Sequence, residues 1–294
     1  MNSEKIILMD GALGTSLWEK NTVKVPVWRY NIENPRSVRE LHEEFIKAGA
    51  DIIMANTFAA NGIEVSRMSS YRIEKVVSTA VRIANDAADG RVKVGLVAGP
   101  ISTLLEPYGK LSYETAKAVF EEQIGSGMAE KPDLILLETF MDLRMLLIAA
   151  SAADIYNVPI LCSMSFMGAN SRGIRPMPAR TMMGDTITDI VYSLGKFKNI
   201  VAVGLNCALD PLESLPILSE FIQERRLPAL FRPNARKPVI NSSGKINTAA
   251  EIEAFADGVV QGAKSGASYV GGCCGTNADY IRRIAEKLQS AGLR

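Results

Sequence analysis

The sequence is poor in the residues that several common enzyme mechanisms need. It has a single histidine, His42, which lies beside the apolar stripe of a predicted helix and away from every predicted strand end. Histidine is the commonest general base, so this placement argues against histidine-based and Ser-His-Asp catalysis. No predicted strand ends in lysine, which disfavours a lyase or aldolase with a lysine Schiff base. The glycine-containing segment 10–14 lacks the patterns of phosphate-binding loops.

The chain also lacks an excess of charge and any long hydrophobic run. Its 33 basic and 32 acidic residues leave a net charge of +1, which gives no field to attract nucleic acid or an acidic membrane surface. No apolar run approaches the roughly 18 residues of a membrane span. The four apolar residues before Asp10 are too few for a signal peptide. We therefore expect a cytoplasmic protein in a reducing compartment, with neither nucleic acid nor a membrane as a partner.

Cysteine is scarce, but three of the four cysteines occupy similar positions. Cys207 follows the apolar run 200–203, and the adjacent Cys273 and Cys274 follow the run 267–270 and two glycines. Thiolates gathered at strand ends form a soft-metal site, so we interpret these three cysteines as ligands of one zinc ion. Three thiolates leave one coordination position open, as in a catalytic zinc site.

Other interpretations of the cysteines fit less well. A disulfide does not suit a reducing compartment. A structural zinc site with four cysteines would require Cys162, and such sites usually contain C-x-x-C pairs, which this sequence does not have. Cys162 lies inside an apolar run, which is typical of a small buried hydrophobic residue.

Apolar runs alternate with helical patterns along the whole chain. Near-continuous apolar strands separated by amphipathic helices indicate a parallel sheet that is buried on both faces. No linker or low-complexity segment divides the sequence, so we predict a single α/β domain over residues 1–294, folded as a (β/α)8 TIM barrel. The predicted strands are 6–9, 51–55, 92–98, 133–137, 159–165, 200–204, 228–231 and 268–271.

The residues after these strands form the candidate active site, because barrel active sites lie at the C-terminal ends of the strands. Three thiols and two carboxylates are expected to face one cavity there. The loop after the fifth strand, with Arg172, Arg175, Pro176 and Pro178, is interpreted as a mobile lid or docking surface, or else as a plain surface loop. The residues at the other strand ends are Asp10, Gly11, Asn56, Thr57, Glu138, Cys207, Asn234, Cys273 and Cys274.

These motifs resemble those of the homocysteine S-methyltransferases over nearly the whole chain. The spaced pair G-x-N-C and G-G-C-C-G is the most specific part of the resemblance. Within the family, segments 31–35 and 233–235 are most similar to the homocysteine-binding barrel of cobalamin-dependent methionine synthase. The matching motifs are M-D-G-A-L-G-T at 9–15, A-N-T-F at 55–58, L-E-T-F at 137–140, G-L-N-C at 204–207 and G-G-C-C-G at 271–275.

The resemblance implies in-line transfer of a methyl group to the zinc-bound sulfur of homocysteine, which gives methionine. Cys207, Cys273 and Cys274 would hold the zinc ion, and Glu138 would pair with the ammonium of homocysteine. Asp10, with the Gly11 backbone, would be a second contact for homocysteine or a support for the metal end of the pocket, and Asn56 and Thr57 would donate or accept hydrogen bonds in the pocket. The side-chain oxygen of Asn234 would occupy the fourth zinc position when homocysteine is absent. A salt bridge to lysine or arginine stays open for Glu138, and a loop-fixing role stays open for Asp10, Asn56 and Thr57.

Two routes are open for the methyl donor. Eight βα units occupy the chain through about Leu288, which leaves no length for a cobalamin domain. We therefore expect methylcobalamin on a separate corrinoid protein, or on another part of a larger chain, as the donor. The alternatives are a self-contained enzyme that uses S-methylmethionine, S-adenosylmethionine or betaine in an aromatic-lined pocket, and a non-catalytic barrel that binds zinc or a thiol.

Overall fold

Parallel strands and helices alternate in the computed structural model, which describes residues 5–168, 178–235 and 248–294. Each strand is short and almost wholly buried. The strands are β1 Ile7–Leu8, β2 Ile52–Met54, β3 Lys93–Ala98, β4 Leu134–Phe140, β5 Ile160–Met164, β6 Ile200–Asn206, β7 Ala229–Arg232 and β8 Ala267–Val270.

Helices follow the strands and cover the outside of the sheet. A 3-10 helix, Val27–Arg29, precedes the second of them. Among the described helices, none is both long and apolar enough to cross a membrane. The α-helices are α1 Leu13–Lys20, α2 Tyr30–Glu33, α3 Pro35–Lys47, α4 Gly62–Met68, α5 Ile73–Ala88, α6 Tyr113–Met128, α7 Leu143–Asp154, α8 Ile187–Leu194, α9 Pro211–Glu224, α10 Thr248–Ser265 and α11 Ala278–Ser290.

The sheet curls so that its first and last strands meet. Strands β2 to β8 pair in chain order, and β8 pairs in parallel with β1. A parallel bridge between Met9 and Ile52 joins β1 to β2, and the Asp10 N–H donates to the Ile52 carbonyl at 3.1 Å. This nearly closed barrel of eight parallel strands confirms the predicted (β/α)8 class.

The interior of the barrel is filled by side chains from alternate strand positions. Leu134 and Leu136 of β4 point inward, whereas Ile135 and Leu137 pack against the surrounding helices. This alternation follows from the period of two residues along a strand. The barrel is therefore a packed core, and the site must lie at one end of it.

The fourth strand is longer than predicted. The sequence pattern ends it at Leu137, but β4 continues to Phe140, which pairs with Met164 of β5. The register shifts between Leu137 and Phe140, and Thr139 has a φ of +66° there. The sequence pattern does not predict this extension, because the polar residues Glu138 and Thr139 interrupt the apolar run. Glu138 thus lies within a strand irregularity and not after the strand.

Helix α3 shows how the sequence sets an element that supports the site. The Asn34 side chain accepts the Ser37 N–H at 3.3 Å, and Pro35 occupies the first turn, so the helix begins where these residues allow it. Its buried stripe includes Phe45, which lies directly under Gly11 of the site. A Cβ atom at Gly11 would lie 2.9 Å from the Phe45 ring and 2.7 Å from the Thr276 carbonyl oxygen, so this position requires glycine.

Candidate active site

Three cysteine sulfurs converge at the C-terminal ends of β6 and β8. The Sγ atoms of Cys207, Cys273 and Cys274 all lie within 4.8 Å of one another, and those of Cys207 and Cys274 are 3.8 Å apart. Cys162 is fully buried inside β5 and is not part of this group. Burial raises the pKa of the Cys162 thiol, which makes it unreactive at neutral pH. The structure therefore brings Cys207, Cys273 and Cys274 together and leaves Cys162 apart from them, and zinc binding by the three stays a prediction.

The end of β7 holds both cysteine-bearing turns. The Cys207 N–H donates to the Arg232 carbonyl at 3.2 Å, and the Cys273 N–H donates to the Pro233 carbonyl at 2.8 Å. Cys207 and the following Ala208 have φ values of +60° and +61°. Two consecutive non-glycine residues in this region cost about 1–3 kcal/mol each, and such backbone persists only where the surroundings fix it. The fold therefore holds the Cys207 sulfur in place by backbone contacts.

The cysteine group fits a tetrahedral zinc ion. With Zn–S bonds of about 2.3 Å, two sulfur ligands of such an ion lie about 3.8 Å apart, and the Cys207 and Cys274 sulfurs have that spacing at 3.8 Å. The Asn234 side-chain oxygen is buried and has no hydrogen-bond partner among the described residues. The Asn234 side chain also hydrogen-bonds to the Cys207 thiol, so its amide group lies next to the cysteine group. The residues at this site therefore match the geometry and the donor types of a zinc centre.

The three thiols do not ionise independently. Hydrogen bonds from Cys273 and Cys274 lower the pKa of Cys207. The contact with Cys207 raises the pKa values of Cys273 and Cys274, because one thiolate opposes the formation of a second beside it. A divalent cation would remove this opposition, since thiols that ligate a metal are deprotonated outright.

Asn206 orients one of the sulfurs through a buried polar network. Its Nδ2 donates to the Cys273 Sγ at 3.5 Å and to the Thr139 hydroxyl at 2.7 Å. Its Oδ1 accepts the Thr139 N–H at 2.9 Å and the Ser163 hydroxyl at 2.8 Å. The sequence analysis gave Asn206 no role. Its position could have suggested one, because it is a polar residue at the end of an apolar strand, directly before the candidate ligand Cys207.

Arg232 is a second residue that the sequence analysis missed. Its Nη2 lies 3.0 Å from Asp10 Oδ1, and its Nη1 lies 2.9 Å from Glu138 Oε2. Asp10 is fully buried, and its other oxygen accepts the Met54 N–H at 2.7 Å. The salt bridge that stayed open as an alternative for Glu138 is thus present. A contact of Asp10 or Glu138 with an acceptor molecule stays a prediction.

Burial and the guanidinium act on the two carboxylates in opposite directions. The pKa of Asp10 is raised to about 7, because burial outweighs the lowering effect of the Arg232 guanidinium. Burial likewise raises the pKa of Glu138, again against the effect of Arg232. The arginine is therefore what allows two neighbouring buried carboxylates to carry charge.

The remaining predicted pocket residues are engaged in holding loops. The Asn56 side chain donates to the Val27 carbonyl and to Asn31 Oδ1, both at 2.8 Å. The Thr57 hydroxyl donates to the Val97 carbonyl at 2.7 Å and is completely buried. These bonds agree with the loop-fixing alternative, and a contact with an acceptor stays a prediction for Asn56, Thr57 and the Gly11 backbone.

The loop interpreted as a lid, a docking surface or a plain surface loop follows β5. Residues 169–177, which include Arg172, Arg175 and Pro176, lie outside the described residues. Pro178 is described and is exposed.

Comparisons with known proteins agree with the fold and with the family that the sequence motifs resemble. A sequence profile described as homocysteine S-methyltransferase matches residues 7–288. Betaine–homocysteine S-methyltransferase 1 of Rattus norvegicus is 25% identical over 98% of this chain and 73% of its own length. S-methylmethionine–homocysteine S-methyltransferase BHMT2 of the same species is 27% identical over 98% of this chain and 80% of its own.

A solved structure shows the same fold. The metallated form of the homocysteine methyltransferase MmuM from Escherichia coli superposes with a TM-score of 0.79, at 20% identity and with 97% of both chains covered. The profile match spans nearly the whole sequence. The chain therefore belongs to the homocysteine S-methyltransferase family.

Proposed function

We propose that this protein is a zinc-dependent methyltransferase that methylates the sulfur of homocysteine and so forms methionine. The observation that carries the proposal is the group of three cysteine sulfurs within 4.8 Å of one another, set beside a buried cluster of two carboxylates and one guanidinium. Three thiols that leave one position open are the donor set of a catalytic zinc site.

In this proposal the protein positions two parts of the acceptor. Cys207, Cys273 and Cys274 would hold a zinc ion, which when bound lowers the pKa of a coordinated thiol. The proton of the acceptor thiol would then pass to solvent, and its sulfur would stay a nucleophilic thiolate. The sulfur then attacks the methyl carbon in line, and the donor leaves with the electron pair of the broken bond. Asn206 stabilises the ligand set by its hydrogen bond to the Cys273 sulfur.

The positive charge of the acceptor's ammonium is complementary to the negative charge of the cluster formed by Asp10, Glu138 and Arg232. When both carboxylates are ionised, Asp10, Glu138 and Arg232 leave one negative charge beside the cysteines. Glu138 is 15% exposed at its side chain, so it is the member of the cluster that an acceptor reaches. Asp10 is fully buried and supports the pocket from beneath.

For the methyl donor we retain a methylcorrinoid on a separate protein or domain, as in methionine synthase. The support is a set of exposed apolar side chains on the loops that follow β2 to β5, on the same side of the barrel as the cysteines. Exposed apolar side chains on these loops suit contact with another protein surface. The members of the set are Phe58, Leu104, Tyr108, Met141, Met167 and Met182, which are 38% to 69% exposed.

A small cationic donor is the second candidate. Relatives that are named for betaine and for S-methylmethionine match 98% of this chain, which favours this route. A donor of this kind binds against aromatic faces. Phe58, which is 40% exposed at the end of β2, is available for such a contact.

The test is a donor panel on the zinc-loaded protein. Homocysteine is incubated with methylcobalamin, S-methylmethionine, S-adenosylmethionine or betaine, and methionine is measured in a single turnover, with the Cys273→Ala variant as control. We expect methionine from methylcobalamin and none from the control. Methionine from a small donor alone would replace the corrinoid route and leave the thiol chemistry in place. Tight zinc and homocysteine binding without methionine from any donor would favour the non-catalytic barrel.

A further inference from the structure

Arg232 joins two strands that lie on opposite sides of the pocket. From the end of β7, it reaches Asp10 after β1 and Glu138 in β4, residues 222 and 94 positions away in the sequence. Its side chain is only 4% exposed. A buried arginine with two carboxylates is costly to assemble, because all three charges are removed from water. The arrangement therefore calls for a role beyond holding the barrel closed, which the strand pairs already do.

The contacts of Arg232 leave one carboxylate oxygen free. Nη2 is engaged with Asp10 Oδ1 and Nη1 with Glu138 Oε2. Across the described residues, Glu138 Oε1 has no hydrogen-bond partner. Glu138 lies in the irregular part of β4, where the register with β5 shifts. The orientation of its side chain is therefore set by the ion pair with Arg232 and not by regular strand geometry.

A direct role for Arg232 in binding an acceptor's carboxylate does not fit these contacts. Both terminal nitrogens already have acidic partners, and the Nε atom is buried without a partner and out of reach of solvent. An acceptor's carboxylate at this position would also be repelled by the Asp10 and Glu138 carboxylates, which outnumber the single guanidinium. The free oxygen of Glu138, by contrast, is open to a cation. The chemistry that this corner of the pocket recognises is therefore an ammonium group.

We propose that Arg232 is a positioning residue that sets acceptor specificity. It holds Glu138 by Oε2 so that Oε1 faces the ammonium of an amino-acid thiol, and it thereby makes the pocket discriminate against thiols that lack the amino group. The inference rests on the proposed function, because it concerns the acceptor of that reaction.

The test compares homocysteine with 4-mercaptobutanoate, which is the same molecule without the amino group. Dissociation constants for both thiols are measured by calorimetry on zinc-loaded protein, together with kcat and KM where turnover is observed. We expect Arg232→Met to reduce the preference for homocysteine by about 10- to 100-fold, as for a lost hydrogen bond to a charged group. The loss should appear in KM and in binding of homocysteine, with zinc content unchanged.

Three further variants separate positioning from general structure. Glu138→Gln should lose the same preference, and the double variant should lose little more, because both residues act through one contact. Arg232→Lys should keep only part of the preference for homocysteine, more than Arg232→Met keeps. Lysine retains the positive charge, but its ammonium cannot bridge two carboxylates as a guanidinium does. Arg283→Met is the matched control, because Arg283 also pairs with two carboxylates, Glu253 and Glu286, but on the outer surface.

The outcomes are distinct. The proposal would be overturned if Arg232→Met weakened the binding of both thiols equally, or if it kept the full preference for homocysteine. If Arg232→Met does not fold, the Arg232→Lys and Glu138→Gln proteins test the proposal instead, by the ratio of their dissociation constants for 4-mercaptobutanoate and homocysteine. Failure of the proposed function looks different: the unaltered protein would then produce no methionine from any donor, while the two dissociation constants would still test the role of Arg232.

Discussion

Replacement of Cys273 by alanine is the perturbation that tests the metal site most sharply. Cys273 lies within 4.8 Å of both other sulfurs and receives the hydrogen bond from Asn206. The substitution removes one donor and leaves the backbone contact with Pro233 intact. The main consequence should therefore be loss of metal and not loss of the fold.

The magnitude follows from the number of ligands. Tight tetrahedral zinc sites bind with apparent free energies of about 10–16 kcal/mol. Shared among four ligands, one thiolate accounts for about 3 kcal/mol, which is a weakening of zinc affinity by about 100-fold. We expect losses of that order for Cys207→Ala, Cys273→Ala and Cys274→Ala.

Cys162→Ala is the matched control, because it changes the same residue type elsewhere in the barrel. Cys162 is fully buried in the core, so its loss should lower the free energy of unfolding by roughly 1–2 kcal/mol through the cavity that it leaves. Zinc is measured by competition with a chromophoric chelator, and stability by urea unfolding. Zinc loss in Cys162→Ala, together with zinc retention in Cys273→Ala, would refute the assignment of the three ligands.

Three other predictions concern the hydrogen bond from Asn206 to Cys273, the binding of the acceptor, and stability at acidic pH. Asn206→Leu should weaken zinc binding about 10- to 100-fold by the same competition assay; unchanged affinity would show that its bond to Cys273 is incidental. Homocysteine binding to the zinc-loaded protein should release close to one proton at neutral pH, and calorimetry in buffers of different ionisation enthalpy should detect it; no release would mean that the sulfur is not held as a thiolate. Burial lowers the pKa of His42 from 6.5 to about 4, so between these values only the unfolded chain takes up the proton. This histidine should therefore cost about 3 kcal/mol of stability as the pH falls from 6.5 to 4. His42→Leu should flatten that part of the urea-unfolding pH profile, and an unchanged profile would count against a neutral buried His42.

The strands and the cysteine group were predictable because their signals are local. Parallel strands that are buried on both faces leave continuous apolar runs, and the glycines and cysteines that follow them mark their ends. Thr139 shows the limit of such patterns. Its φ of +66° belongs to a non-glycine residue in an irregular strand, and no sequence pattern announces such a conformation.

The role of Arg232 was hidden for a different reason. A single arginine at the end of an apolar run carries no sign of its partners, which come from β1 and β4. Only the closed barrel brings these strand ends together. The prediction that Glu138 faces the pocket was made from its position at a strand end, but the ion pair that orients it required the three-dimensional arrangement.

The central claim is that the cysteine group holds a zinc ion to which the acceptor's sulfur is added. X-ray absorption at the zinc edge counts the sulfur neighbours of the metal directly, with and without homocysteine. We expect three sulfur neighbours and one lighter atom in the zinc-loaded protein, and four sulfur neighbours after homocysteine is added. A spectrum that still shows three sulfur neighbours when homocysteine is bound would contradict the claim.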